Sequence, residues 1–172
     1  MCVSIERVTL DDLDLLVEWR LEVIEEVFSD RPHPISPELF DNTRAYYERH
    51  LLDESNISCF AVRETGEIVG SGTICILEEL PSPDNPSGLV GDLMNIVVFP
   101  PARGEGAGKK SVQWLIAEAE KRGITRLMLE TTAAGRGVYE SFGFKDTVDY
   151  MIRELDCDPQ HPSAGVAGRC LP

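Results

Sequence analysis

The sequence predicts a single α/β domain in which a mixed β-sheet is flanked by helices. Its 172 residues are enough for one hydrophobic core. Segments with apolar residues at helical spacing alternate with short β-branched runs, and we find neither an internal repeat nor a domain boundary. We therefore expect one domain over residues 1–155, followed by a loose tail at residues 156–172 that is rich in proline and glycine.

The first half of the chain predicts two helices and three strands. Alternating hydrophobicity indicates strands, whereas apolar residues three and four apart indicate helices. In chain order, we expect a strand at 3–8, a helix at 9–28, a helix at 37–52, and a hairpin of strands at 57–62 and 68–76. Thr9 and Asp12 are spaced as in a capping box, and Ser36 precedes Pro37 as an N-cap precedes the first helical residue.

The second half predicts two further strand–helix units. A loop at 80–88 is followed by a strand at 91–99, a helix at 106–122, a strand at 124–131, a short helix at 133–142, and one or more strands at 144–155. Gly123 is expected to end the third helix, because a residue in the left-handed conformation commonly follows a helix and is usually glycine.

Composition and charge exclude several classes of function. The net charge of −14 opposes nucleic-acid binding, which needs a basic face. No apolar run approaches the ~20 residues that span a bilayer, and the N-terminus lacks the pattern of a signal peptide. The five cysteines and three histidines lack metal-ligand spacing, so no metal site is expected, and Cys59 and Cys75 are interpreted as buried thiols. We expect a cytoplasmic protein without a membrane partner.

A glycine-rich turn between a strand and a helix is the strongest functional signal. Residues 95–113 read NIVVFPPARGEGAGKKSVQ. The β-branched run ends at two prolines, because proline cannot donate to a strand ladder. Three alternating glycines follow, which are Gly104, Gly106 and Gly108. A helical pattern starts within this run. Backbone N–H groups at such a helix N-terminus can bind an anion such as phosphate, since no side chain blocks its approach.

Two known phosphate-binding motifs fit this turn poorly. The ATPase P-loop fails because Lys110 occupies its Ser/Thr position and Arg103 its first glycine position. The dinucleotide motif G-x-G-x-x-G begins well at Gly104, but Lys109 occupies its third glycine position. Glu130 does end the next strand, where a ribose-binding acid belongs. Too little chain follows, however, to repeat the dinucleotide-binding unit.

A third pattern matches the sequence at two places. Arg103-x-x-Gly106-x-Gly108, preceded by residues 98–100 (VFP), resembles the pyrophosphate-binding signature of the GCN5-related N-acetyltransferases (GNAT). Residues 137–144 (GVYESFGF) resemble the tyrosine-containing helix and closing Gly-Phe of that family. The resemblance implies a central twisted, mostly antiparallel sheet that is splayed at the cofactor site. It also implies that the protein uses acetyl-coenzyme A as an N-acetyltransferase.

The resemblance implies a set of residues that contact the coenzyme. The backbone of the strand before the turn would pair with the pantetheine arm as a false strand would. The turn would hold the pyrophosphate through its N–H groups, with Glu105 pointing to solvent and Lys109 and Lys110 adding positive charge. Thr132 occupies the place where many members carry an asparagine that contacts the coenzyme. The implied residues are Ile96, Val97, Val98, Arg103, Gly104, Glu105, Gly106, Ala107, Gly108, Lys109 and Thr132.

Acetyl transfer to an amine needs a neutral amine, stabilisation of the oxyanion and a proton for the leaving thiolate. The resemblance nominates Tyr139 as the general acid toward the sulfur. The base stays open between Asp92, Glu130 and water. The expected acceptor is a primary amine of a small molecule, with a cationic amine favoured by an acidic first helix and the Glu78–Glu79 pair. A peptide or protein amine, a non-catalytic acyl-CoA sensor and a homodimer also stay open.

Overall fold

A five-stranded sheet with helices on both faces forms the frame of the computed structural model, which describes residues 3–27 and 35–147. The strands lie side by side in chain order, and all neighbours are antiparallel except the last two, which are parallel. The predicted mixed, mostly antiparallel sheet is therefore confirmed. The strands are β1 (Val3–Arg7), β2 (Asn56–Arg63), β3 (Ile68–Glu78), β4 (Leu89–Val98) and β5 (Arg126–Leu129).

Four α-helices cover the two faces of the sheet. They are α1 (Leu13–Val27), α2 (Pro37–Leu52), α3 (Ala107–Lys121) and α4 (Arg136–Glu140). The helices α1 and α2 pack on one face with Phe60 and Val62 of β2, whereas α3 packs on the other face with Ile57 and Cys59 of the same strand. Because successive side chains of a strand point to opposite faces, β2 contributes to both cores. None of the described helices is long and apolar enough to cross a membrane.

The predicted capping residues lie at the starts of the first two helical segments. The Asp12 carboxylate accepts a hydrogen bond from the Thr9 N–H at 2.9 Å. The first turn is nevertheless a 3₁₀ helix over Leu10–Asp12, and the α-helix begins at Leu13 rather than at residue 9. The Ser36 hydroxyl accepts from the Leu39 N–H at 3.0 Å, so its predicted role as the N-cap of α2 is confirmed.

The predicted strand and helix after α3 are present but shorter than expected. Gly123 follows α3 with a φ of +70°, as predicted. The Thr132 carbonyl accepts hydrogen bonds from the N–H groups of Gly135 at 3.1 Å and Arg136 at 3.2 Å. These bonds close a turn after β5, which delays the start of α4 to Arg136 instead of residue 133.

The last strand predicted from the sequence falls mostly outside the described residues. Residues 144–147, where that strand was expected to begin, form no regular element. Residues 148–155 and the tail at 156–172 lie outside the part of the chain that the structure describes.

Replacing Leu115 by alanine should remove about 3 kcal/mol from the free energy of unfolding. Leu115 is 0% exposed in the core between α3 and the sheet, and a Cβ on Gly72 of β3 would lie 3.1 Å from its Cδ1. Urea denaturation measures the loss. Leu52→Ala is the matched control, because Leu52 is 65% exposed and its loss should cost under about 0.5 kcal/mol. Equal losses in the two variants would contradict this placement of the core.

Candidate active site

The strand β4 loses one of its two neighbours part-way along its length. β5 pairs with it from Val90 to Leu93 and ends at Leu129. β4 continues to Val98, and among the described residues this last part pairs with β3 alone. One side of the β4 backbone therefore faces a cleft along residues 94–98, as the expected splay requires.

A β-bulge at Asn95 coincides with the end of β5. The register between β3 and β4 shifts between Ser71 and Thr73, so that β4 carries an extra residue. Asn95 has a φ of +53°, a conformation that asparagine tolerates better than most residues. Its Oδ1 accepts a hydrogen bond from Arg20 Nη1 of α1 at 2.9 Å, which ties the bulge to the helix above it.

The glycine turn leads into α3 with an open helix N-terminus. Gly104 and Gly106 have φ values of +87° and +84°, and Gly106 is an N-cap without a side chain. The Lys110 N–H donates to the Gly106 carbonyl at 3.0 Å. The four N–H groups of residues 106–109 precede that bond and have no acceptor within the helix. A Cβ at either glycine would meet no atom within 4 Å, so the space beside the turn is open to an anion.

Arg103 connects the end of β4 to the turn. Its Nε donates to the Val98 carbonyl at 2.9 Å, and its backbone N–H donates to the Pro100 carbonyl at 3.2 Å. The N–H that the sequence assigned to an anion is thus engaged within the turn. These two hydrogen bonds tie Arg103 to the end of β4 and to the start of the turn.

The carboxylate of Glu105 is paired with an arginine of the sheet. It accepts from Arg63 Nη2 at 2.7 Å and from Arg63 Nε at 3.2 Å, so the expectation that this side chain points to solvent is wrong. The hydrogen bonds from Arg63 hold the pKa of the Glu105 carboxyl below its usual range. The pair ties the turn to β2 and offsets a negative charge that would otherwise oppose an anion.

The two lysines of the turn differ in their contacts. Lys109 Nζ lies 5.8 Å from the centre of the Phe142 ring, a cation–π contact that links the start of α3 to the segment after α4. Lys110 Nζ donates instead to the Val3 carbonyl of β1 at 2.7 Å. The expectation that both lysines add charge at the turn is therefore met by Lys109, whereas Lys110 is bound to the edge of the sheet.

The cleft beside β4 brings together several residues that the sequence singled out. Its volume is about 590 Å³. Of the predicted residues, its lining includes Ile96, Val97, Thr132, Tyr139, Asp92 and Glu130. Val98 and the glycine turn lie at the end of β4, outside this lining. The cleft and the glycine turn, which are the two predicted parts of the site, thus both lie along β4.

Tyr139 of α4 is half-buried at the wall of the cleft. Its ring packs edge-on against Phe144 at a centroid distance of 6.0 Å, and a Cβ on Gly135 would lie 3.3 Å from its Cε2. Burial raises the pKa of the phenol above its usual value, so the hydroxyl stays protonated at neutral pH. Within the described residues its hydroxyl has no hydrogen-bond partner, which leaves it able to donate into the cleft.

Two carboxylates line the same cleft with different environments. Burial raises the pKa of Asp92, and the nearby charge of Glu130 raises it further. Asp92 lies on β4 opposite Met128, whereas Glu130 is exposed just beyond the end of β5. A raised pKa brings Asp92 closer to the range in which a carboxylate serves as a general base. No group of three or more His, Cys, Asp or Glu side chains in residues 3–27 and 35–147 is arranged to hold a metal ion.

A second cavity of about 350 Å³ lies beneath α2 and meets the cleft at Arg20, Met94 and Asn95. Its wall includes Tyr46 and Tyr47 of α2. Sequence reasoning missed Arg20 and Asn95. A signal for Arg20 exists, because it falls three and four residues after Val17 and Leu16 and so interrupts the apolar stripe of α1.

The acidic residues that favoured a cationic acceptor lie elsewhere. Glutamates of the acidic first helix and the Glu78–Glu79 pair line neither of these two cavities: Glu18, Glu22, Glu25, Glu78 and Glu79. Glu79 instead accepts a hydrogen bond from Arg126 Nη1 at 2.6 Å, at the far end of the sheet. These charges therefore offer no contact to a molecule in the cleft.

Residues 19–144 match the family model described as the acetyltransferase (GNAT) family, and this range covers the strands β2 to β5, the glycine turn and Tyr139. The chain belongs to the GNAT acetyltransferase family. The fold and the family resemblance predicted from the sequence are both confirmed.

Several known acetyltransferases resemble this GNAT protein. The [ribosomal protein bS18]-alanine N-acetyltransferase of Escherichia coli K12 is 42% identical over 57 residues, which are 31% of this chain and 38% of that protein. The IAA acetyltransferase of Azospirillum brasilense is 31% identical over 105 residues, which are 56% and 63% of the two chains. The chain thus spans less than two thirds of the length of either relative.

A solved structure agrees in fold with this GNAT protein. It is a predicted acetyltransferase with acetyl-CoA from Clostridium acetobutylicum, which superposes with a TM-score of 0.79 at 23% identity. The match covers 90% of this chain and 97% of that one.

Gly106→Ala should weaken acetyl-CoA binding by this GNAT protein roughly tenfold, because a Cβ beside the N–H groups disturbs their hydrogen bonds to an anion. Isothermal titration calorimetry measures the affinity. Gly66→Ala is the matched control, since Gly66 has a φ of +83° with no atom within 4 Å of a Cβ, but lies in the β2–β3 turn. Both variants should lose about 1 kcal/mol of stability. Equal affinities in the two variants would contradict the anion site.

Proposed function

We propose that this protein is an acetyl-CoA-dependent N-acetyltransferase that acetylates a primary amine of a small molecule. The observation that carries the proposal is the arrangement along β4, where an open helix N-terminus lies at one end and the cleft with Tyr139 lies beside it. Membership of the GNAT family supports acetyltransferase activity. The names of the relatives include both a small-molecule and a ribosomal-protein acceptor, and the small volume of the second cavity, about 350 Å³, favours the former.

The coenzyme is expected to follow β4 from the turn to the cleft. The N–H groups of residues 106–109 would bind its pyrophosphate, with Gly104, Arg103 and the backbone of Glu105 completing the turn. The β4 backbone at residues 96–98, which no described strand pairs with on its cleft side, would pair with the pantetheine amides. Thr132 lines the cleft opposite and would contact the same arm through its hydroxyl.

Tyr139 is proposed to assist departure of the coenzyme sulfur. Acetyl-CoA supplies an acetyl group activated as a thioester. Because burial keeps the phenol of Tyr139 protonated, its hydroxyl can donate a hydrogen bond to the sulfur as negative charge develops there. Because burial raises the pKa of this phenol, complete transfer of its proton to the thiolate is less favourable than it would be from an exposed tyrosine. The hydrogen bond itself is therefore expected to give most of the stabilisation.

Asp92 is the base that we favour over Glu130. An amine that arrives protonated must lose a proton before it attacks, and Asp92 lies deeper in the cleft with a raised pKa. The exposed carboxylate of Glu130 contributes indirectly, since its negative charge raises the pKa of Asp92. Asp92 would accept the proton directly or through a water molecule.

A cytoplasmic location belongs to the same proposal. Cys59 and Cys75 are buried free thiols, which is typical of proteins kept in a reducing compartment. Burial raises the pKa of Cys59 to about 12, so this thiol is expected to be unreactive. A homodimer is compatible with the proposal but not needed by it, because one chain supplies every residue of the proposed site.

Calorimetry with acetyl-CoA and with NAD, followed by an acceptor screen that detects released thiol, tests the function. The screen covers amino acids, polyamines, aminoglycosides and peptides. We expect binding of acetyl-CoA, no binding of NAD, and thiol release with at least one amine. No binding of acetyl-CoA at millimolar concentration would end the proposal. Binding without thiol release for any acceptor would favour a non-catalytic acyl-CoA sensor.

Tyr139→Phe should lower kcat by about 10²-fold or more while leaving the affinity for acetyl-CoA unchanged. Phenylalanine keeps the ring that packs on Phe144 and removes the hydroxyl alone. Steady-state kinetics and calorimetry on the same preparation separate the two effects. A variant that turns over as fast as the native protein would rule out the hydroxyl as the acid.

The pH profile of kcat should fall on its acid side at a pH above about 4, the ordinary pKa of aspartate. The carboxylate form of Asp92 is lost as the pH falls through its raised pKa. Glu130→Gln removes a like charge, so it should lower the pKa of Asp92 and move the acid limb to lower pH. Asp92→Asn should remove the limb together with most of the activity. An acid limb that stays in place in both variants would exclude Asp92 as the base.

A further inference from the structure

We infer that the acceptor is an amino carboxylate, such as an amino acid, and that Arg20 binds its carboxylate. This inference rests on the proposed N-acetyltransferase function and names the acceptor class of the same site. Its basis is a cation that has no carboxylate partner among the described residues and lies at the junction of the cleft and the second cavity.

Arg20 lies at that junction with most of its hydrogen-bonding capacity unused. Its Nη1 donates to Asn95 Oδ1 at 2.9 Å. A guanidinium has five N–H donors, and Arg20 forms neither another hydrogen bond nor an ion pair with the described residues. A guanidinium forms a strong, charge-assisted forked pair when a carboxylate binds its remaining N–H donors. The missing partner is therefore expected to come from the ligand.

Asn95 is held in an unfavourable state that orients this guanidinium. Its φ of +53° is tolerated by asparagine but adopted more readily by glycine, and its Nδ2 is buried without a hydrogen-bond partner among the described residues. Reversing the amide would turn Nδ2 toward the Arg20 cation and lose the bond. Glycine would avoid both costs at this bulge. What asparagine adds over glycine is the oxygen atom that receives Arg20.

The charges on the two sides of the junction match a zwitterion. Arg20 is the one charged residue among the described residues that line the cavity beneath α2, whose other walls are neutral. Asp92 and Glu130 line the adjoining cleft. An amino carboxylate can thus place its carboxylate on Arg20 and its ammonium toward Asp92. A single guanidinium forms a forked pair with a carboxylate, whereas a phosphate dianion would call for more positive charge.

The neutral walls of the second cavity favour an acceptor with a medium-sized, mostly apolar side chain. The cavity of about 350 Å³ is bounded by Tyr46, Tyr47 and Met94, with the thiol of Cys75 hydrogen-bonded to the Tyr46 hydroxyl at 3.2 Å. Aromatic rings and sulfur atoms pack well against apolar groups. Phenylalanine and methionine are therefore suitable probes.

Matched acceptors test the inference at saturating acetyl-CoA. Phenylalanine and methionine are compared with their carboxamides, which keep the amine and the side chain but remove the negative charge. We expect kcat/KM for each acid to exceed that of its amide by at least about tenfold. In Arg20→Gln this ratio should fall to about one, because the acids lose their partner. Arg20→Lys should restore part of it, since the charge remains without the fork.

Asn95→Gly separates a positioning role of Asn95 from a purely structural one. Glycine accepts the φ of Asn95 and removes the unpaired Nδ2, so the stability of the variant should be equal or higher. The KM for the acids should rise severalfold while kcat changes little, because Arg20 loses its fixed orientation. A drop in stability with unchanged KM would show that Asn95 serves the fold alone.

The outcomes distinguish failure of this inference from failure of the proposed function. Amides acetylated as well as acids by the native protein would overturn the inference and leave the acetyltransferase intact. If neither the acids nor the amides are acetylated, saturation-transfer NMR compares the binding of the two series to the CoA-loaded protein. No preference for the acids in that measurement would overturn the inference. Absence of acetyl-CoA binding would end the proposed function itself.

Discussion

The end of β5 opposite Leu93 is the constraint on which the rest of the site depends. Because β5 stops there, β4 carries one set of backbone groups that no described strand pairs with. Such groups are strong hydrogen-bonding sites, so the gap is suited to an extended ligand with amides of its own. The bulge at Asn95 bends β4 at the same level and brings Arg20 over the opening. The glycine turn that follows β4 then places the N-terminus of α3 at the end of this unpaired stretch of β4.

The proposed anion site is built from local dipoles in a chain with a net charge of −14. A long-range field of that sign would repel a pyrophosphate, so affinity must come from groups in direct contact. The N–H groups at the start of α3 provide such contacts. Arg63 removes the one conflicting charge within the turn by pairing with Glu105. The proposed acceptor site likewise depends on a single local charge, because Arg20 lies in a cavity whose other described walls are neutral.

The sequence was sufficient wherever a feature depends on neighbours along the chain. The hydrophobic periods located the described strands and helices to within a few residues, Ser36 marked the start of α2, and the glycine pattern located the turn. Contacts between distant residues were not predictable in this way. The pair of Arg63 with Glu105 joins positions 42 residues apart, and Arg20 reaches Asn95 across 75 residues. Such pairs depend on the register of the sheet and the placement of α1, which no local pattern specifies.

A structure of the protein with bound acetyl-CoA is the most direct test of the central claim that the gap beside β4 and the start of α3 form one coenzyme site. We predict that the pyrophosphate lies within hydrogen-bond distance of the N–H groups of residues 106–109. The pantetheine arm should run along residues 96–98, with its sulfur nearest the Tyr139 hydroxyl. A coenzyme bound elsewhere, or a sulfur remote from Tyr139, would contradict the account.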